Sequence, residues 1–309
     1  MTHERGSGWA QVFAPAKVNL CLHVTGRRED GYHLIDSLVC FAPFGDHLDI
    51  NRGNTLSLTV EGPEAQGVPS DMQNLAMKAA AMVAGVDGYA LTLTKNLPAA
   101  SGIGGGSADA AAVFRGILGM NDGWIDGEDA VHWPEEKLRP FAYDILALGA
   151  DIPMCMLSHS ARVRGIGEKI EFVSLGALPA VLVNPRLPVS TAEVFSRLAG
   201  RENPPLQDEI PSFANAASCI EWLQSQRNDL QEPAIATAPA IADVLTALAE
   251  QPGCGLSRMS GSGATCFGLF ASMEDAREAT NKLSVDHPEW WVAGGPLGSQ
   301  FKAAMPKFS

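Results

Sequence analysis

Residues 98–112 read Pro98-Ala-Ala-Ser-Gly-Ile-Gly-Gly-Gly-Ser-Ala-Asp-Ala-Ala-Ala112, four glycines within five positions followed at once by good helix formers. Without Cβ atoms, Gly102, Gly104, Gly105 and Gly106 let the backbone take positive φ and bring its amides close to a ligand. The preceding segment, Ala90-Leu-Thr-Leu-Thr-Lys95, alternates apolar and polar residues and reads as a strand. From Ser107 onward the residues favour a helix, whose first turn offers unpaired N–H donors and the positive end of its dipole to an anion. The stretch therefore predicts strand, glycine loop and helix, with a phosphate cradle at the loop. A mobile loop with Ser107 as an N-cap is the alternative, but three consecutive glycines cost backbone entropy and pack nothing, which favours ligand contact. No lysine follows as a P-loop requires, and the spacing is not G-x-G-x-x-G.

The stretch resembles the second motif of the GHMP kinases, P-x-x-x-G-L-G-S-S-A-A. That resemblance implies that Pro98, Ala99, Ala100, Ser101, Gly102, Ile103, Gly104, Gly105, Gly106, Ser107 and Ala108 wrap the phosphates of ATP. It places Ser107 to reach Mg²⁺ or a phosphate oxygen. Ala108 stands where many members have a second serine, so that hydroxyl is missing here.

Upstream, residues Val12 to Leu22 contain FAPAKVNLCL, strand-like on both sides of a Pro-Ala-Lys step. On spacing alone Lys17 is a solvated side chain. Beside a phosphate loop its ammonium can instead lower the pKa of a nearby hydroxyl or steady a carboxylate. Next comes TGRREDGYHLIDSLV, in which Gly26 to Gly31 predicts a turn and His33 to Val39 a strand. Taken singly, Tyr32 and His33 are ordinary structural residues. P-A-K-x-N-L followed by R-x-D-G-Y-H, however, resembles one branch of the GHMP kinases, the bacterial and plastid 4-diphosphocytidyl-2-C-methyl-D-erythritol kinases. This implies that Tyr32 stacks on a cytosine, that His33 hydrogen-bonds the cytidine, and that Asn19 lies on the substrate side. A flat aromatic face suits a base and an imidazole suits its edge.

Ser70-Asp-Met-Gln73 predicts a capping box for a helix carrying Leu75, Ala76, Ala79, Met82 and Val83 on one face and stopped by Gly85. The resemblance puts Asn74 and Lys95 near the adenine of ATP; a helix-start amide and a surface lysine are the equal alternatives. A polar, insert-like stretch runs from Asn121 to Pro134, then a helical segment through Leu148 ends at Gly149-Ala-Asp151-Ile-Pro153. Asp151 is either a turn or cap residue or, in so apolar a stretch, a carboxylate aimed into a cleft. L-G-[AS]-D-[IV]-P is the form of the family's catalytic aspartate, which implies a general base paired with Lys17. Residues 161–172 predict a hairpin around Gly165 and Gly167.

In the carboxy-terminal half, Val181 to Asn184 predicts a strand and Ser190 or Thr191 caps a helix. The resemblance sets Thr191 and Phe195 against the nucleotide base; a cap and a core phenylalanine remain the alternative. Arg227-Asn-Asp-Leu-Gln231 opens a long helix with a structural role. Ser260-Gly-Ser-Gly263 is a glycine-rich turn between two short strands and resembles the third GHMP motif, which brings Gly261 and Ser262 to the phosphate loop.

The 309 residues, 46% hydrophobic and 18% charged, describe a globular chain large enough for two domains. A net charge of −13 argues against nucleic acid or an anionic membrane as partner. The amino terminus has no apolar signal core and no later run reaches membrane-spanning length, so a cytoplasmic protein is expected. Six scattered cysteines without C-x-x-C read as buried free thiols. Together the resemblance implies a two-domain α+β fold, with a ribosomal-protein-S5-like domain over residues 1–177 and a ferredoxin-like domain over 178–309. It implies an ATP- and Mg²⁺-dependent kinase, monomeric or weakly dimeric, acting on 4-diphosphocytidyl-2-C-methyl-D-erythritol in the cleft between them. The D-G-Y-H run speaks against mevalonate or homoserine, and retention of both Lys17 and Asp151 against a binder without catalysis.

Overall fold

The computed structural model describes residues 8–85, 88–122 and 142–309. The amino-terminal residues 1–7 and, from position 123, the insert-like stretch Asn121–Pro134 lie outside the described residues. Two sheets carry the site. The first holds β1 (Trp9–Arg27), β2 (His33–Gly53), β3 (Ser57–Glu61), β4 (Gly88–Thr94), β5 (Ala161–Gly165) and β6 (Lys169–Phe172). Its order is β1-β2-β4-β3, with β5 also on β2 and β6 on β5, and among the described residues only the β3–β4 pair is parallel. The second sheet is antiparallel in the order β10-β7-β9-β8, from β7 (Leu178–Asn184), β8 (Cys254–Met259), β9 (Cys266–Phe270) and β10 (Trp291–Leu297). The final strand, β11 (Lys307–Phe308), returns to the first sheet and pairs with the start of β1.

Helices α1 (Leu75–Val83), α2 (Gly105–Asp122), α3 (Ala142–Leu148) and α4 (Ile152–Leu157) accompany the first sheet. Helices α5 (Thr191–Ser196), α6 (Ala216–Gln224), α7 (Gln231–Thr237), α8 (Ala240–Ala249) and α9 (Met273–Asp286) accompany the second, before α10 (Phe301–Ala304). Three cores result. Ala10, Val12 and Ala14 of β1 meet the buried face of α2; Val18 and Leu20 meet Leu182 and Phe267 between the sheets; Leu22 and Val24 join α8 and α9 on the far side. One strand feeds all three because its register against β2 shifts between Pro15 and Lys17, Asn19 and Cys21, and Val24 and Gly26. Strand β7 is buried on both faces, with Ala180 and Leu182 in one core and Val181 and Val183 in the next, which explains its unbroken apolar run.

Local differences from the sequence expectations have local causes. β1 runs on to Arg27, because Gly26 pairs with Leu34 and Arg27 with His33, and β2 runs far past Val39 to Gly53. The cap of α1 is Asn74, whose side-chain oxygen accepts from the Ala76 amide at 2.9 Å, and not Ser70. The long helix after Arg227 is two helices, α7 and α8, broken where Ala238 leaves the helical conformation before Pro239. All six cysteines are free, five buried and Cys254 half-buried. Among the described residues no helix is long and apolar enough to cross a membrane.

Candidate active site

Lys17 follows the first register shift of β1, and its side chain shares the strand face of Asn19 while Val18 and Leu20 fill the core. Its Nζ lies 2.9 Å from Oδ2 of Asp151 and donates to Oδ1 of Asn19 at 2.8 Å. The Asn19 amide is itself fixed, donating to the Ser37 hydroxyl at 2.8 Å, which donates to the Cys21 carbonyl at 2.6 Å. Lysine and carboxylate are thus aimed by a chain of hydrogen bonds rooted in the strands. Asp151 precedes α4 at its N-cap position but makes no side-chain cap bond, which leaves the carboxylate to the cavity. The buried guanidinium of Arg115 holds α4 in place, donating to the carbonyls of Cys155 at 2.8 Å and Phe13 at 2.9 Å. Burial pushes Arg115 down to about 10.

The glycine loop is clasped against the second sheet. The Ser260 hydroxyl accepts from the Asn19 amide at 3.0 Å and donates to the Gly102 carbonyl at 3.1 Å; the Thr265 amide donates to the Ser101 carbonyl at 3.0 Å. Behind the loop, the Lys17 amide donates to the Ile103 carbonyl at 2.9 Å. Gly102 (φ +75) and Gly261 (φ +56) meet back to back. A Cβ on Gly102 would lie 2.6 Å from the Ser260 carbonyl oxygen, and one on Gly261 would lie 2.8 Å from that of Gly102. Both positions require glycine for conformation and for space. Asn228 braces the turn from beneath, donating to the carbonyls of Met259 at 2.8 Å and Gly261 at 2.9 Å.

Lys95 is not a surface lysine. It is buried, with Nζ on Asp109 at 2.9 Å and on Asp46. Asp46 also accepts from the amides of Asn96 and Leu97 at 2.6 and 2.9 Å, so the cluster ties β4, the loop's approach and α2 together. Burial opposes the charge on Lys95, but Asp109 and Asp46 raise its pKa nonetheless. Burial pushes Asp109 up to about 8 in spite of Lys95. Asn74 is spent as well, capping α1 and donating to the Pro69 carbonyl at 2.8 Å.

These elements border one cavity of 1210 Å³, above the usual range of roughly 300–1,000 Å³ for a single-ligand pocket. Residues 98–102 and 104–107 line it with Lys17, Asn19, Asn74, Lys95 and Asp151. So do Tyr32, His33, Thr191, Phe195, Gly261 and Ser262. Two expected members face away: Ile103 fills the core between the sheets and Ala108 the core under α2. His33 and Phe195 stack with ring centroids 4.6 Å apart, while Tyr32 is 56% exposed. Burial, then Arg27 and Arg201, lower the pKa of His33, and its Nε2 is buried without a partner among the described residues. The hydroxyls of Thr191 and Ser262 are 2.8 Å apart, which joins α5 to the glycine-rich turn of Ser260–Gly263.

Asp46 and Asp109 escaped the sequence reading as site residues, and Asn228 and Ser260, read as a structural helix start and part of the glycine-rich turn, did so in their contacts. Only Asp109 had a local signal, a carboxylate in the first turns of the helix that follows the glycines; the others find their partners far away in the chain.

Residues 74–159 match the family model of the GHMP kinases N terminal domain, and residues 209–287 that of GHMP kinases C terminal. The chain is 50% identical over 300 residues to the 4-diphosphocytidyl-2-C-methyl-D-erythritol kinase of Roseobacter denitrificans, covering 97% of each chain. It is 50% identical over 282 residues to the enzyme of the same name from Dinoroseobacter shibae, covering 91% of this chain and 92% of that one. A crystal structure of 4-(cytidine 5'-diphospho)-2C-methyl-D-erythritol kinase matches at a TM-score of 0.69 and 31% identity, over 93% of this chain and 99% of that one. Homoserine kinase from Cytophaga hutchinsonii matches in fold alone, at a TM-score of 0.64 and 18% identity over 100% and 99%. The chain thus belongs to the 4-diphosphocytidyl-2-C-methyl-D-erythritol kinases, a family of the GHMP kinases.

Proposed function

We propose that this chain transfers the γ-phosphoryl group of ATP to the 2-hydroxyl of 4-diphosphocytidyl-2-C-methyl-D-erythritol, on the non-mevalonate route to isoprenoid precursors. The carrying observation is the Lys17–Asp151 pair, 2.9 Å apart on the wall of the cavity that the glycine loop borders. Phosphoryl transfer asks the protein chiefly for positioning and for charge stabilisation. Asp151 accepts the proton of the attacking hydroxyl, a contribution of roughly 10²–10⁴-fold in rate. Lys17, held by Asn19, keeps that carboxylate in place and steadies the charge that develops.

The amides of the glycine loop and the first turn of α2 face the phosphates of ATP. Ser107, on the cavity wall, would be the residue to hold Mg²⁺ or a phosphate oxygen. Its hydroxyl fits that ion, which prefers oxygen donors and is commonly shared between one or two protein ligands and the phosphates. Among the described residues no group of three or more His, Cys, Asp or Glu is assembled to hold a metal. Mg²⁺ when bound shares the phosphate charge. Asn74 and Lys95 shape the adenine side rather than donate to it, since their side chains are engaged. Tyr32, His33 and Phe195 read the cytidine, with the unpartnered Nε2 of His33 available to the base edge. Thr191, Gly261 and Ser262 close the substrate side.

On this reading residues 1–177 bind ATP and residues 178–309 complete the substrate site. On the same reading the protein works as a monomer or weak homodimer. Six unpaired thiols suit the reducing cytoplasm.

The test is ADP release with ATP and Mg²⁺ on a panel of the cytidine diphosphate compound, mevalonate, homoserine and galactose, with Asp151→Asn in parallel. Turnover of the cytidine compound alone, lost in the variant, is expected. Turnover of another alcohol overturns the assignments of Tyr32 and His33, and ATP binding without any turnover overturns the kinase reading.

A further inference from the structure

The charges around the cavity are unevenly matched. Its lining carries three carboxylates, Asp30, Asp109 and Asp151, and each has a cationic partner: Arg28 at 2.7 Å, Lys95 at 2.9 Å and Lys17 at 2.9 Å. It carries four cations besides His33: Lys17 and Lys95 are buried and spent on those carboxylates, whereas Arg27 and Arg201 are exposed and have no carboxylate partner among the described residues. Arg27 Nε donates to the Gly31 carbonyl at 3.2 Å, which steadies its stem, and among the described residues its terminal nitrogens have no hydrogen-bond acceptor. In a chain of net charge −13, two unpaired guanidiniums on one cavity wall are an anion site in the making.

Their place in the fold says which anion. Arg27 ends β1, just before the turn that presents Tyr32 and His33, and Arg201 follows α5, which presents Thr191 and Phe195. They approach the His33–Phe195 stack from separate segments, and after burial they are the charges that oppose protonation of His33. The phosphates of ATP belong at the glycine loop. We propose that Arg27 and Arg201 form a subsite for the diphosphate of the acceptor nucleotide, making the cavity select a cytidine diphosphate compound over cytidine itself. Guanidinium suits the task, since its fork of donors meets two phosphate oxygens at once.

The inference rests on the cytidine reading of the same site, and the experiment separates the two. Calorimetric affinities for cytidine, CMP and CDP are compared between the native chain, Arg27→Ala/Arg201→Ala, Arg201→Lys and Arg197→Ala. The last is a control whose guanidinium pairs with Glu193 at 3.0 Å and borders a different, smaller cavity. CDP is expected to outbind cytidine by about tenfold or more in the native chain and in the control. The double variant should lose most of that advantage with cytidine affinity held within about twofold, and Arg201→Lys should keep part of it. In turnover, the KM for the acceptor should rise about tenfold while the KM for ATP stays put. An undiminished CDP advantage in the double variant, a parallel loss of cytidine and CDP, or a rise in the KM for ATP instead overturns the subsite. Failure of the native chain to bind any cytidine compound while it binds ATP overturns the cytidine reading, and the subsite with it.

Discussion

Lys17 and Asp151 form an ion pair of unequal burial: the ammonium is 5% exposed and the carboxylate, 2.9 Å away, 37%. The cation is fixed from behind by Asn19, and the anion keeps an open face toward the cavity. Such a pair acts as a unit. Lys17→Met should lower kcat by about 10²–10⁴-fold with the KM for ATP little changed. Combined with Asp151→Asn it should cost less than about tenfold beyond the worse single variant. Losses that multiply in steady-state kinetics would show two independent roles.

Gly102 is the point at which the loop touches the turn of the second sheet. Gly102→Ala adds a Cβ 2.6 Å from the Ser260 carbonyl oxygen at a φ of +75. The loop must back away from that turn, with a strain of about 1–3 kcal/mol. A thermal melt should show the loss, and the KM for ATP should rise; a variant with native melting temperature and KM refutes the clasp.

Asn228 offers a second probe of the same contact, one that leaves the glycine loop's own residues unchanged. Asn228→Ala orphans the carbonyls of Met259 and Gly261, at about 1–3 kcal/mol for each buried group left unpaired. Urea titration should show a lower midpoint without a change in slope.

Removing Lys95 strands two buried carboxylates. Lys95→Met should destabilise by about 3–5 kcal/mol, as breaking a buried pair from one side does. Adding Asp109→Asn should recover part of the loss, because a neutral amide can sit beside Asp46 without the cost of taking up a proton, which Asp109, already pushed up to about 8, has to bear. Urea midpoints that fall further in the double variant would contradict this account of the cluster.

The thiols set an alkaline limit. Burial pushes Cys21, Cys40 and Cys155 up to about 12 and Cys219 up to about 11. Their folded pKa values exceed the unfolded one, so their stabilising effect is complete below pH ~9 and is lost as pH rises toward 12, where the unfolded chain releases protons the folded chain retains. Each such thiol contributes a slope of about 1.4 kcal/mol per pH unit in that window. The melting temperature should fall steeply above pH ~9, and native thiols should resist a chromogenic disulfide at pH 8 until denaturant is added. Immediate reaction of several thiols would disprove their burial.

What the sequence reveals of this site is what lies within a few positions of a glycine cluster or a proline-flanked polar residue. That residues 98–102 and 104–107, Lys17 and Asp151 would border one cavity was legible because each sits in a short run whose composition is odd for its surroundings, whereas nothing in that run marked Ile103 and Ala108 as core residues. The surroundings of Lys95 were not, since Asp46 lies 49 positions away and a lone lysine at a strand end looks solvated. Asn228 reads as part of a structural helix start, and its partners stay hidden until the turn it supports, 31 to 33 positions on, is folded over it. The extent of β2 was hidden for a related reason: Pro43 and Gly45 signal an interruption, and a register shift against β1 absorbs them.

The pairing of Ala10 with Phe308 and Gln11 with Lys307 has a consequence for taking the molecule apart. The chain crosses between its sheets twice, once outward after β6 and once homeward after β10. Severed in the outward crossing, the trailing fragment would still own a strand of the leading fragment's sheet, and β1 would still help fill a core of the trailing one. Neither piece is self-sufficient. A nick between residues 172 and 178 should leave the fragments interlocked through gel filtration and separable only by denaturant, and the halves produced apart should become soluble only in each other's company.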